Sequence, residues 1–164
     1  MHDGTWRRLT VRISQREEEY VKFIQKMVIG MGARAWTYRE GRHRRLYVVE
    51  FSRGLLSDHG LRTRRDQADY ARGYFDAEGG IPTSPSEEPY LYFAQKNRSD
   101  LVSLRRLLGR LGISCGRMHN PSRRMDPLYW RFYVRRNSIR DFFRLVGSWH
   151  PRKAKRLASM TRSL

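Results

Sequence analysis

The sequence predicts an α+β protein made of two pseudo-symmetric half-repeats, each carrying an antiparallel sheet. Three observations predict it. The stretches "RLTVRISQREEEYVKFIQKMVIGMGARAWTY" and "PYLYFAQKNRSDLVSLRRLLGRLGISCGRM" each place a glutamine, Gln15 or Gln95, 17 residues before a glycine, Gly32 or Gly112. Further on, "RLYVVEFS" (45–52) matches "PLYWRFYV" (127–134), with two residues added in the loop between. Each copy runs strand, helix, strand, strand. A repeat of about 80 residues with mixed elements is too large, and present too few times, for a solenoid.

The strands rest on alternation with a period of two. In the first copy Leu9, Val11 and Ile13 are apolar while Arg8, Thr10 and Arg12 are polar. In the second, Trp130, Phe132 and Val134 alternate with Tyr129, Arg131, Tyr133 and Arg135. One face of each strand is core and the other is cationic and aromatic. The helices are amphipathic. "EEEYVKFIQKMVIGMG" places Tyr20, Phe23, Ile24, Met27 and Val28 on one side, with acids in the favourable first turn. "SDLVSLRRLLGRLG" opens with Ser99 or Asp100 as cap, turns Leu101, Leu104, Leu107 and Leu108 inward and stops at Gly112. Its Arg105, Arg106 and Arg110 read as a solvated outer face. "SIRDFFRLVGSW" is a further amphipathic helix broken by His150-Pro151, and "PTSPSEE" (82–88) is a turn.

Charge narrows the partner. Across 164 residues Lys+Arg outnumber Asp+Glu by 34 to 16, a formal net charge of +18. Such an excess favours a polyanion, above all nucleic acid. Of the basic residues 29 are arginine, whose planar fork suits phosphate and guanine. A GC-rich coding genome also enriches arginine over lysine, but leaves the charge itself unexplained. No apolar run approaches the roughly 20 residues that span a bilayer, and the N-terminus carries no signal-peptide core. Cys115 is the single cysteine and the five histidines are scattered, so intramolecular disulfides and cysteine-rich zinc sites are excluded. The expectation is an intracellular protein of cytoplasm or organelle with no membrane partner, no nucleotide cofactor and no nucleophilic Ser or Cys.

One stretch departs from the basic character of the chain. "DQADYARGYFDAEGGIP" (66–82) is a helical run that ends in Asp76-Ala77-Glu78 and then two glycines. Acids at a helix C-terminus face the negative end of its dipole. Gly73 and Ala77 stand one turn apart, small residues that allow two helix backbones to approach closely. Within it "ARGYFDAEG", Ala71 to Gly79, resembles the defining motif of the LAGLIDADG homing endonucleases. Gly73, Asp76, Ala77 and Gly79 are identities, and Glu78 replaces the final Asp. The family's αββαββα unit follows each motif, and matching elements cover nearly the whole chain.

The resemblance implies sheets that form a concave saddle over the major groove of double-stranded DNA. It implies paired motif helices meeting through Gly73 and Ala77, and Glu78 as ligand to Mg²⁺ or another divalent cation. Two such acids hold metals that activate water and stabilise the leaving oxygen in phosphodiester hydrolysis. Asp76, two residues before that position, is structural in this scheme. Gln15 and Gln95 end strands where the family places a polar residue near the active site. Lys153 and Arg64 fall where it carries a basic residue near the scissile phosphate, so the expected catalytic set is Glu78, Gln95, Lys153, Gln15 and Arg64. By strand parity the DNA contacts are Arg8, Thr10, Arg12, Tyr92, Arg117, Arg131, Tyr133 and Arg135.

The match is incomplete, since only one motif is visible. Glu78 precedes Gln95 by 17 residues, whereas Asp3 precedes Gln15 by 12, and "DG" at 3–4 reads better as a hairpin turn. The expected organisation is therefore a first half-repeat, 1–64, without its motif helix. A second, 65–164, has a motif helix over 66–78, and the two form one compact domain. A late start or degenerate remnant, one piece of a split protein, and a homodimer of single-motif chains all account for this. The functional expectation is a site-specific DNA endonuclease, whole or reduced. The alternative is a non-cleaving relative: an RNA maturase-like splicing factor on structured RNA, or a decayed endonuclease that still binds.

Overall fold

The computed structural model describes residues 10–41, 45–56, 60–82, 88–162 and 164. Arg8, Leu9 and the Asp3-Gly4 turn lie outside the described residues, as does most of the 82–88 turn. The chain divides into two compact units, residues 1–60 and 61–164.

In the first unit β1 (Thr10–Gln15), α1 (Glu18–Gly30), β2 (Ala35–Glu40) and β3 (Leu46–Ser52) follow one another. The sheet is antiparallel in the order β1-β3-β2, with Arg12 opposite Glu50 and Glu50 opposite Trp36. Tyr20, Val21, Ile24 and Val28 of α1 are buried, as are Val48, Val49 and Phe51 of the central strand. Gly32, at φ +80°, lets the chain leave α1 in the left-handed conformation that glycine adopts without penalty.

The second unit opens with α2 (Arg64–Glu78), followed at once by β4 (Gly79–Gly80). Thr63 caps α2 through a reciprocal box: its hydroxyl accepts from the Asp66 N–H, and the Asp66 carboxylate accepts from the Thr63 N–H. Then come β5 (Leu91–Gln95), α3 (Arg98–Arg110), β6 (Trp130–Val134), α4 (Ile139–Leu145) and α5 (Pro151–Arg162). The sheet order is β4-β5-β6, antiparallel throughout. Its inner face, with Leu91, Phe93, Phe132 and Val134, packs with Phe75 of α2, four leucines of α3 and Phe142 of α4 in one core. The Phe75, Phe93 and Phe142 rings meet edge to face at 5.0–6.0 Å.

Two sequence expectations shift. The second strand of the second copy, between α3 and β6, is reduced to isolated bridges, Cys115 to Val134 and His119 to Arg131. The stretch between those bridges is one residue longer on its own side than on β6, and an extra residue of this kind interrupts a ladder. The helix expected from Ser138 onward stops at Leu145. Gly147 turns left-handed at φ +63°, and the Val146 and Gly147 N–H groups both close on the Phe142 carbonyl. Pro151 then starts α5, where its missing N–H costs nothing.

Candidate nucleic-acid interface

The acidic end of α2 separates into two chemistries. Asp76 is buried, accepting from the Ser148 hydroxyl and from the Trp149 N–H at 2.9 Å. It fastens α2 to the turn before α5 and is structural. Glu78 is exposed and makes no hydrogen bond or ion pair among the described residues. The helix dipole is answered by Lys153 instead. Its ammonium donates to the carbonyls of Phe75 at 2.7 Å, Asp76 at 2.9 Å and Gly79 at 2.7 Å. An ammonium has three N–H donors, and all three are engaged here. Burial lowers the Lys153 pKa, with the Asp76 and Glu78 carboxylates pulling it back up. Lys153, expected near the scissile phosphate, caps the acidic end of α2 in this structure, with its ammonium given to three carbonyls.

The glycines after Glu78 have a steric reason. A Cβ at Gly79 would lie 2.1 Å from the Phe75 ring, and one at Gly80 would lie 2.1 Å from the Tyr92 ring. Gly80 pairs with Tyr92 across β4 and β5, so Glu78 lies two residues before the strand position opposite Tyr92.

The outer face of the second sheet is aromatic around one arginine. The Arg131 guanidinium lies 4.3 Å from the Tyr92 ring centroid and 5.4 Å from that of Tyr129. It donates to the Tyr129 hydroxyl at 2.8 Å and to the Tyr133 hydroxyl at 3.3 Å. Tyr90 and Tyr92 each meet Tyr133 edge to face, and His119 stacks on Tyr133 at 5.5 Å. Burial works against the Arg131 charge, but the tyrosine hydrogen bonds outweigh it and the pKa is raised. Among the described residues Arg131 has no carboxylate partner, so its charge is held in place and left uncancelled.

The outer face of the first sheet is different. Arg12 bonds Glu40 at 3.0 Å and lies 3.9 Å from Glu50, while Thr10 and Tyr38 both donate to Glu50. The Glu40 hydrogen bond leads in raising the Arg12 pKa. Here the cation is already paired.

The remaining expected residues scatter. Gln15 and Gln95 do end β1 and β5, opposite Tyr47 and Trp130, and the Gln95 side chain accepts from the Lys96 N–H at 2.7 Å. Arg64 opens the helix that Glu78 closes, about 21 Å away at 1.5 Å per residue, and donates to the Leu111 carbonyl at 2.9 Å. The structure thus does not bring Arg64 to the acidic end of α2. Arg135 lies beyond the end of β6, where strand parity no longer applies. Arg117 is exposed in the bridged segment. On α2, Gly73 has open space around its missing Cβ and Ala77 is exposed. Sequence reasoning missed Ser148, the Trp149 N–H, His119 and the two glutamates on Arg12. Tyr129 was legible, since it shares the parity of Arg131.

The LAGLIDADG-like domain model matches residues 65–147. No curated protein sequence matches the chain. Among solved structures, the homing endonuclease I-DmoI in complex with DNA and Ca is 19% identical with a TM-score of 0.67, covering 91% of this chain and 82% of that one. I-DmoI with DNA and Mn is also 19% identical, with a TM-score of 0.63 over 84% of this chain and 80% of that one. The N-terminal LAGLIDADG domain of DUF199/WhiA is 13% identical, with a TM-score of 0.64 over 94% of this chain and 79% of that one. At these identities the likeness speaks for the fold: α+β, with antiparallel sheets, as expected. With half the chain covered by the family model and its motif helix at the head of that match, this protein belongs to the LAGLIDADG-like domain family.

Proposed function

We propose that the chain binds double-stranded DNA through the outer face of its second sheet and acts as a site-specific, divalent-metal-dependent phosphodiesterase of the homing-endonuclease type. The observation that carries this reading is Glu78: an exposed carboxylate with no hydrogen bond or ion pair among the described residues, at a helix end whose other acid and whose carbonyls are already satisfied. I-DmoI, of the same fold, has been seen with DNA and with Mn, Ca or Mg.

Glu78 suits one oxygen ligand of a Mg²⁺ ion that keeps its waters and takes the rest of its shell from substrate phosphate. The bound cation would supply Lewis acidity and a more acidic water. Among the described residues no cluster of three or more His, Cys, Asp or Glu could hold a metal alone. In this reading the second acid is supplied by another motif helix, docked on the open Gly73–Ala77 side of α2, in a second copy or a further segment. Lys153 holds the helix end rigid so that Glu78 is presented at a fixed place. Arg131, oriented by its tyrosines, neutralises backbone phosphate or reads a base edge.

The lone acid also favours a second reading, a non-cleaving nucleic-acid-binding relative whose partner is DNA or structured RNA. Glu78→Gln separates the two. With a cognate duplex selected from a randomised pool, the substitution should abolish Mg²⁺-dependent cleavage while binding in Ca²⁺ persists or strengthens. Robust cleavage by the Gln variant rejects the role given to Glu78. A wild type that binds but never cuts, even when paired, leaves the binding reading standing.

A further inference from the structure

A second cationic feature of the 61–164 unit lies away from the acidic helix end. A pocket of about 470 Å³ is lined by Arg105, Arg106, Gly109, Ser114, Cys115 and Arg135. Gly109 lies four residues after Arg105 and three after Arg106, so it neighbours both on the surface of α3. Arg135 joins them because its N–H donates to the Ser114 carbonyl at 2.8 Å, just after β6 ends. All three arginines are exposed and none has an ion-pair partner among the described residues. Three guanidinium groups facing one open space repel one another unless an anion sits between them.

Gly109 lies in the last turn of α3 and lines the pocket, and a Cβ there would meet no atom within 4 Å. A larger side chain can therefore be placed there to fill the pocket without a clash in the helix. Burial pushes the Cys115 thiol up to about 11, and the charges of Arg105 and Arg135 draw it back.

We propose that this pocket is an oxyanion site that holds a phosphate group between Arg105, Arg106 and Arg135. Arginine forks match phosphate oxygens bidentately, and the volume suits a ligand up to nucleotide size. The phosphate belongs either to the backbone of a bound nucleic acid or to a free phosphorylated small molecule. The site does not depend on the sheet face or on Glu78.

The test follows the backbone amide NMR signals of Gly109, Ser114 and Cys115 at constant ionic strength near physiological, about 0.15 M. Inorganic pyrophosphate and a DNA duplex are titrated separately. The Arg105→Ala/Arg106→Ala/Arg135→Ala variant removes the cations. Gly109→Glu fills the pocket with an acid while favouring the helix. Arg140→Ala/Arg144→Ala/Lys155→Ala matches the charge loss elsewhere. Saturable shifts with pyrophosphate, weakened about tenfold in the first two variants and not in the third, establish a small-ligand site. Shifts only with duplex, with the same pattern across variants, establish a backbone-phosphate site. Silence of these amides to both probes, equal losses in the charge-matched variant, or wild-type shifts in Gly109→Glu overturn the proposal. A duplex that binds without moving these amides, with pyrophosphate silent as well, overturns the pocket alone and leaves the sheet reading intact.

Discussion

Arg12 on β1 and Arg131 on β6 are both arginines on the outer face of a sheet, one in each half-repeat, and their surroundings are opposite. Arg12 faces Glu40 and Glu50, which also gather Thr10 and Tyr38. Arg131 is enclosed by Tyr92, Tyr129 and Tyr133. A guanidinium paired with carboxylates offers little net field to a polyanion, whereas one held by phenol rings and hydroxyls keeps its full charge and gains a fixed orientation. The lesson is that an outward arginine in a basic chain is not by itself a nucleic-acid contact. Its neighbours on the same sheet face decide.

That contrast can be sharpened from both sides. The largest expected effect is at the anchor of the second face. Lys153→Met removes three charge-assisted hydrogen bonds and leaves partly buried carbonyls unmet, so it should destabilise the protein by about 2–4 kcal/mol. Urea denaturation monitored by circular dichroism measures this; a loss below about 0.5 kcal/mol would show that water replaces the ammonium at no penalty. On the first face, Glu40→Gln with Glu50→Gln uncovers Arg12. Duplex affinity should rise by about 1 kcal/mol, with the log–log salt slope steeper by about 1. An unchanged slope would mean that Arg12 does not reach phosphate even when free. The smallest effect concerns α2. Gly73→Leu should gain roughly 0.8 kcal/mol of helix propensity while abolishing pairing with a second motif helix. A raised melting temperature with assembly unaltered, read by light scattering, would remove Gly73 from the docking face.

Much of the fold was legible. Alternation in "RISQ" and "WRFYV" and the leucine stripe of α3 mark strands and helices because burial imposes those periods. Glu78 followed by two glycines marks the end of α2, whereas its start, expected at 66, lies at Arg64 behind the Thr63–Asp66 box. The candidate site was legible only as far as its motif. Whether Arg12 meets a glutamate depends on cross-strand register, which no local pattern reports. Lys153 reaches α2 from more than 70 residues away in sequence, so its basic character was visible but not its role as a cap. Parity says nothing about Arg135, because the strand ends one residue earlier.

The central claim is that the second sheet, not the first, carries the nucleic-acid contact. Its most direct test is the duplex affinity of Arg131→Ala and Arg12→Ala, measured side by side by fluorescence anisotropy in one buffer. Arg131→Ala should cost about 1–3 kcal/mol, the range of a good base or phosphate contact. Arg12→Ala should cost well under about 1 kcal/mol, since an exposed pair cancels its charge. Equal losses, or a larger loss at Arg12, would contradict the account.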